Sequence, residues 1–149
     1  MIYKLSILII IVFIAGLFIA ANFSTPPKNL GMTGGKLSPC PDSPNCVSSQ
    51  ASSKEHGIMP IKARGTNSQV IKKLESCIRK MGGSIVSSNG PYLHAEFKSR
   101  FFHFVDDLEC VYNEVEETIE IRSASRLGYS DLGVNRKRVE ELRTLFENN

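Results

Sequence analysis

The chain begins with an almost uninterrupted apolar run from Leu5 to Ala21, which reads LSILIIIVFIAGLFIAA. Lys4 is the only charged residue among the first 21. At about 1.5 Å per residue, a helix of this length is close to the thickness of a thin bilayer core. A run of this kind does not fit an ordinary globular fold of the whole chain. We therefore expect residues 1–21 to form an N-terminal transmembrane helix, either an anchor or a signal segment.

Both interpretations of this segment remain open. An uncleaved anchor fits the length of the run, whereas a secretory signal fits Lys4, the apolar stretch and the small residues Ala20 and Ala21. Basic residues lie on both sides of the run, so the positive-inside rule gives no strong orientation. A short N-terminal tail ordinarily stays in the cytoplasm. We therefore expect a membrane-anchored protein whose remaining chain lies on the extracytoplasmic side.

Residues 22–57 have a different composition, with five of the seven prolines and four of the 11 glycines. Apolar residues are sparse there, which predicts an extended or turn-rich tether. Within it, Cys40-Pro-Asp-Ser-Pro-Asn-Cys46 carries prolines that favour tight turns. In an oxidising compartment we expect a Cys40–Cys46 disulfide. Free thiols and a metal or redox pair are the alternatives, but Cys-x5-Cys is not a usual zinc spacing. No metal site and no cofactor are predicted.

Residues 58–149 show the regular periodicity of a folded domain. One helix is predicted from a cap at Asn67 or Ser68 to the glycine pair at 82–83, and another from about Asn135. A short edge strand is expected near residues 58–63. Further strands are expected at residues 84–88, 92–97, 102–112 and 118–125, where apolar and polar residues alternate.

Clean alternation in these strands indicates one buried and one solvent-exposed face, hence an antiparallel sheet. The predicted fold class is α+β, with a four- to five-stranded antiparallel sheet, two helices packed on one face and the transmembrane helix in front. Cys77 and Cys110 both fall on the apolar side by period. A buried thiol is the expected state of Cys77, and a second disulfide stays an alternative.

Charge is sharply segregated within this domain. Residues 106–120 contain seven acids and no base, whereas residues 122–138 contain five bases and one acid, Asp131. The net charge of +3 is too small for a sequence-independent nucleic-acid binder, so no nucleic-acid partner is expected. The simplest interpretation is that the two stretches neutralise each other across neighbouring strands.

A second interpretation is an anion site at the start of the last helix. If Asn135 caps it, three cations fill the first turn, where free backbone N–H groups already favour an anion. A small anion or a lipid headgroup is the expected ligand, unless Asp131 and Asp106 fold back and occupy the site. The predicted ligand-binding residues are Arg122, Ser123, Ser125, Arg126, Tyr129, Asn135, Arg136 and Arg138.

Two other functions stay open. A small hydrolase-like enzyme would use His94 with Glu96 or Asp107 as an acid–base pair, since all three are expected on the exposed face of the sheet. No nucleophile elbow, phosphate loop or dinucleotide fingerprint accompanies them, so an enzyme is the weaker hypothesis. A structural envelope protein without a ligand would instead pair Asp107 with Arg122 to lock the last helix to the sheet.

Three motifs carry a resemblance to a known family. They are Cys40-Pro-Asp-Ser-Pro-Asn-Cys46-Val-Ser-Ser, then Tyr92-Leu-His-Ala-Glu-Phe-Lys-Ser-Arg100 with Phe104-Val-Asp-Asp107, and finally Ile121-Arg-Ser-Ala-Ser-Arg126 continuing to Arg138. Together they resemble the uncharacterised family known as domain of unknown function 1499, over roughly residues 37–146. The resemblance implies a small bacterial or plastid domain, often exported or membrane-tethered, and it assigns no activity to any residue.

Overall fold

The computed structural model describes residues 2–22 and 24–148. In these residues the chain forms three helices and eight strands. In order they are α1 Ile2–Asn22, β1 Met32–Thr33, β2 Lys36–Leu37, β3 Cys46–Ser48, β4 Ile61–Lys62, α2 Asn67–Lys80, β5 Ser84–Asn89, β6 Tyr92–Lys98, β7 Val105–Asn113, β8 Thr118–Ser125 and α3 Val134–Glu147.

The main sheet has the strand order β3-β8-β7-β6-β5, and β4 also pairs with β8. All of these pairs are antiparallel, as expected for the consecutive strands β5 to β8, which short connections join. The predicted α+β class with an antiparallel sheet is therefore confirmed. The sheet has six strands rather than four or five, because β3 lies in the stretch where the sequence shows no apolar period.

The hydrophobic core lies between one face of the sheet and helices α2 and α3. Leu93, Leu108 and Ile121 project from the three central strands, and Leu74 and Leu142 meet them from the helices, all five fully buried. Burying a side chain of this size stabilises the fold by about 1.5–3 kcal/mol. We call this surface of the sheet the core face.

The helix starts differ from the expected caps. Thr66, rather than Asn67 or Ser68, caps α2: its hydroxyl accepts from the Gln69 N–H while the Gln69 side chain accepts from the Thr66 N–H. This reciprocal pair is a capping box. Helix α3 begins at Val134 after Gly133, so the expected Asn135 cap is wrong.

Helix α1 presents large apolar side chains to solvent along its middle, with Ile7 54% and Phe13 67% exposed. Within the described residues, no helix combines the length and the apolarity needed to cross a membrane, so the predicted transmembrane span is not confirmed. The C-terminal end of α1 contacts the domain. There Ala21 is buried, and the Phe18 ring lies 5.4 Å from that of Phe102.

Residues 24–45, which we call the cover segment, lie against the second face of the sheet. The Gly31 N–H donates to Oε1 of Glu109 at 2.7 Å, and the Ser24 carbonyl accepts from Nη1 of Arg126 at 3.3 Å. The predicted Cys40–Cys46 disulfide is present and ties the segment to β3. This stretch of the expected tether is therefore ordered on the sheet.

Candidate functional site

The second face of the sheet, which we call the outer face, carries charged and polar side chains where the core face carries apolar ones. Strand alternation puts them there, and cross-strand register places Glu96 beside Asp107 and Glu109 beside Arg122. We expected this face to be exposed to solvent, and that prediction is wrong. His94 is 5% exposed, Asp107 1%, Glu109 0% and Arg122 4%. The cover segment excludes water from these side chains.

Arg126 organises one half of the outer face. Its Nε donates to Oδ2 of Asp107 at 2.8 Å, its Nη2 donates to Oδ1 at 2.6 Å, and Nη2 also pairs with Glu96. His94 Nε2 lies 2.8 Å from the same Oδ1. Burial raises the pKa of Asp107, but hydrogen bonds from Arg126 and His94 outweigh it, so this pKa lies below its ordinary value. The Asp107 hydrogen bond raises the pKa of Arg126. This half is a closed ionic network.

Glu109 organises the other half. Its fully buried carboxylate accepts hydrogen bonds from the Tyr92 hydroxyl at 2.8 Å, the Gly31 N–H at 2.7 Å and Arg122 Nη1 at 2.9 Å. Burial, followed by the charge of Glu109, raises the pKa of Tyr92, which therefore remains a protonated donor. Three donors to one buried carboxylate offset much of its desolvation cost.

Arg122 is the group that this arrangement leaves incompletely bonded. A guanidinium has five N–H donors, and within the described residues Arg122 uses Nη1 in its single hydrogen bond, to Glu109. Its Nε is buried without any partner, although the side chain is 5% exposed. Leaving a buried donor unbonded costs about 1–3 kcal/mol. Arg126, by contrast, uses all three of its nitrogens.

A cavity of about 400 Å³ lies between the cover segment and the outer face. Both arginines and Asp107 line it from the sheet, and three prolines and the disulfide line it from the cover. Its lining residues are Pro27, Asn29, Pro39, Cys40, Pro41, Asp107, Arg122, Ala124, Ser125 and Arg126. The donor-rich Arg122 thus borders a space large enough for a small molecule.

The structure brings the three catalytic candidates together: His94 contacts Asp107, which shares Arg126 with Glu96. Asp107 is already bonded at both oxygens, so it orients its neighbours instead of accepting a substrate proton. Asp107 also pairs with Arg126, not with Arg122 as the structural alternative expected.

The remaining cysteines do not supply a nucleophile for this site. Cys77 and Cys110 are buried thiols, and Cys110 belongs to the core cluster on the opposite side of the sheet. Burial raises the pKa of Cys110, which keeps it a thiol.

The predicted anion site at the start of α3 is occupied by the protein itself. Asp131 accepts from the Gly133 N–H through Oδ1 at 2.9 Å and from the Asn135 N–H through Oδ2 at 2.7 Å. Arg138 donates to Oδ2 of Asp106 at 2.5 Å. Asp131 and Asp106 are the two carboxylates that the sequence analysis named as the alternative to an external anion. The two carboxylates therefore already bind two N–H groups at the start of α3 and the guanidinium of Arg138.

Most of the other predicted ligand-binding residues lie away from the outer face, on the α3 side of the sheet or in a loop. Asn135 is fully buried and joins Ser123, Ser125 and Arg138 by side-chain hydrogen bonds on the α3 side of the sheet. Arg136 donates to the backbone carbonyls of residues 55 and 57 at 2.8 Å. Tyr129 is 77% exposed in a loop. Arg122 and Arg126 alone of the eight predicted side chains belong to the outer-face network.

Sequence reasoning missed Glu109 and Tyr92 as members of the site. Their alternation with Asp107 and His94 places them on the outer face, so the signal was available from period alone. The lining from the cover segment, Pro27, Pro39 and Pro41, carries no such signal, because its position depends on long-range contacts with Glu109 and Arg126.

Comparison with known proteins identifies a family and nothing beyond it. Searches of curated proteins and of solved structures give no match to this chain. The family model described as "Protein of unknown function (DUF1499)" matches residues 36–146, most of the chain. That span includes β2, β3, the disulfide and the strands and helices that follow, with α3 matched up to its penultimate residue. The chain therefore belongs to the DUF1499 family of proteins of unknown function.

Proposed function

We propose that the domain binds a small molecule with an anionic oxygen in the cavity beneath the cover segment. The observation that carries the proposal is Arg122, whose side chain lines this cavity and whose buried Nε has no partner among the described residues. Buried polar groups in folded proteins are almost always hydrogen-bonded. A ligand that accepts from Arg122 completes the network.

The chemistry of the lining selects the ligand class. Carboxylate and phosphate oxygens match the guanidinium fork of arginine and form its strongest hydrogen bonds. Arg126 is already held by Asp107 and Glu96, whereas one contact to Glu109 leaves most of the donors of Arg122 free. Arg122 therefore binds the anionic group, and Arg126 holds the wall of the cavity in place.

The size of the cavity sets the scale of the ligand. At about 400 Å³ it lies in the range of small-molecule sites. Pro27, Pro39 and Pro41 restrict the backbone of the cover segment, and the Cys40–Cys46 disulfide fixes its end to β3. A largely preformed site of this kind lowers the entropic cost of binding.

Titration calorimetry of the full chain with inorganic phosphate and with succinate tests this function. Arg122→Lys keeps the positive charge beside Glu109 but removes the Nε–H, so we expect at least a tenfold loss of affinity, about 1.4 kcal/mol. Arg64→Lys is the matched control, because Arg64 lies 87% exposed in a surface pair with Glu117. Equal affinity of wild type and Arg122→Lys, or no binding by wild type at millimolar anion, would overturn the proposal.

We further infer that α1 associates with a membrane and that the domain works in an oxidising, extracytoplasmic compartment. Exposed apolar side chains along α1 and the Cys40–Cys46 disulfide support this. Fractionation of cells that express the full chain should place it with membranes, with Cys40 and Cys46 resistant to alkylation until a reductant is added. Recovery in the soluble fraction with freely alkylated Cys40 would contradict it.

A further inference from the structure

Exposed apolar residues collect at one end of the sheet. Phe101 is 76% exposed in the loop of residues 99–104, and Tyr129 and Leu132 are 77% and 88% exposed in the loop of residues 126–133. The two loops are neighbours because β7 begins and β8 ends there, with Asp106 opposite Ser125. We call these two loops the apolar tip.

Two residues of the tip have an unusual backbone conformation. Leu132 has a φ of 55° and His103 a φ of 58°, in the left-handed region that non-glycine residues seldom adopt. Such a conformation is energetically unfavourable for a residue with a side chain. Leu132 recovers none of this by burial, since it is the most exposed apolar side chain of the tip.

The tip is continuous with α1. The Phe18 ring lies 5.4 Å from Phe102 and 6.4 Å from His103, so the C-terminal end of the apolar helix meets the first loop directly. Ala21 is buried at the same junction. The exposed apolar surface of α1 therefore leads to the exposed apolar residues of the tip.

We propose that the apolar tip rests in the interface of an anionic lipid bilayer, beside the point where α1 enters it. The inference rests on the proposed membrane association of α1 and adds a second contact, which holds the domain on the bilayer. Aromatic and aliphatic side chains at this depth bury apolar area, and aromatic rings favour the headgroup level.

The charges around the tip complement such a surface. Lys98 and Arg100 are exposed at the start of the first loop. The acidic side chains at this end of the sheet already have partners within the domain. Asp106 binds Arg138, Asp131 binds the start of α3, and Glu96 binds Arg126. Among the described residues, the charges left without a partner at the tip are therefore basic, and an anionic leaflet attracts basic side chains. This complementarity, together with the apolar helix α1 beside the tip, favours an anionic lipid surface over a neutral or basic protein surface.

The chain contains no tryptophan, so a single introduced indole reports on one position. Phe101→Trp and Leu132→Trp place it in the tip. Val115→Trp is the matched control, because Val115 is 94% exposed in the turn between β7 and β8, at the opposite end of β7. Each full-length variant is mixed with vesicles of phosphatidylcholine and phosphatidylglycerol, and flotation with the vesicles is measured in parallel.

We expect blue-shifted emission and a roughly twofold or greater loss of iodide quenching for the two tip indoles, with the control unchanged. Pure phosphatidylcholine should weaken this protection. If the protein floats with the vesicles but iodide quenches the tip indoles as strongly as the control indole, the tip contact is overturned while the association of α1 stands. Failure to float would overturn both. Neither outcome bears on anion binding at Arg122, which the calorimetry measures separately.

Discussion

The two faces of the sheet are built by the same alternation and are both buried, yet they are stabilised in different ways. On the core face, Leu93 and Leu108 pack against α2 and α3. On the outer face, Asp107 and Arg126 lie beneath the cover segment with almost the same exclusion of water. Apolar packing tolerates partial truncation, whereas a buried charge depends on its partner. The outer face is therefore the more brittle of the two.

The cover segment causes this difference. Without residues 24–45 the outer face would be a solvated surface, and its ion pairs would each contribute about 0–1 kcal/mol. With the segment in place, Gly31 and Ser24 supply backbone groups to Glu109 and Arg126. The charged face thereby becomes a buried one, with a partly open cavity between it and the cover segment.

The largest effect is expected from breaking the Asp107–Arg126 pair. Asp107→Ala or Arg126→Met should each lower the free energy of unfolding by about 3–5 kcal/mol, because either removes the main partner of a buried charge. The double variant should lose much less than the sum, as measured by urea unfolding in a double-mutant cycle. Arg64→Met with Glu117→Ala, on the exposed pair, should change stability by about 0–1 kcal/mol. Simple additivity at Asp107 and Arg126 would show that the outer face is solvated.

On the core face, Leu108→Ala should lower the free energy of unfolding by about 2–5 kcal/mol through lost burial and a cavity. Leu108 is fully buried beside Asp107 in the same strand, which makes it a matched substitution on the opposite face. If Leu108→Ala and Leu142→Ala leave separate cavities, their effects on the free energy of unfolding should add. If they leave one shared cavity, the effects should not add. A loss under about 1 kcal/mol would mean that the helices do not close this face.

Removal of the disulfide should have a smaller effect, concentrated on the cover segment. For a loop this short, Cys40→Ser with Cys46→Ser should cost about 2 kcal/mol. Hydrogen exchange at the Gly31 amide, which donates to Glu109, should accelerate more than exchange at amides of α2. Unchanged protection of Gly31 would show that the outer face stays covered without the disulfide.

The smallest expected effect is a change in pH dependence. The folded-state pKa of Asp107 lies below its unfolded value, so its stabilisation is present above about pH 4 and is lost as the pH falls through the folded-state pKa. The free energy of unfolding of wild type, measured with urea, should therefore fall on acidification. Asp107→Asn should flatten this slope and be less stable at neutral pH. Parallel slopes for the two proteins would place the acid-sensitive group elsewhere.

The helices and hairpins were predictable from sequence because their patterns are local. Alternation located β6 and β8 to within a residue, and apolar spacing located α2 and α3. Strand β3 was missed because three residues in a proline-rich stretch form no period, and their pairing with β8 depends on distant contacts.

For the site, the sequence predicted several of the residues but not how they pair or whether they are buried. Asp107, Arg122 and Arg126 were identified from charge pattern, but the pattern cannot tell a solvated face from a covered one. The choice of partners depends on register, which pairs Glu109 with Arg122. The occupied start of α3 was foreseen as one alternative, since Asp131 lies just before the helix.

The most direct test is nitrogen-15 NMR of the arginine side chains during titration with inorganic phosphate. We expect the Nε–H of Arg122 to be protected from exchange and its resonance to shift on binding, while that of exposed Arg64 moves little. The Nε–H of Arg126, already bonded to Asp107, should be protected with or without phosphate. An Arg122 resonance that exchanges as fast as that of Arg64 and is unmoved by phosphate would contradict both the covered outer face and its ligand.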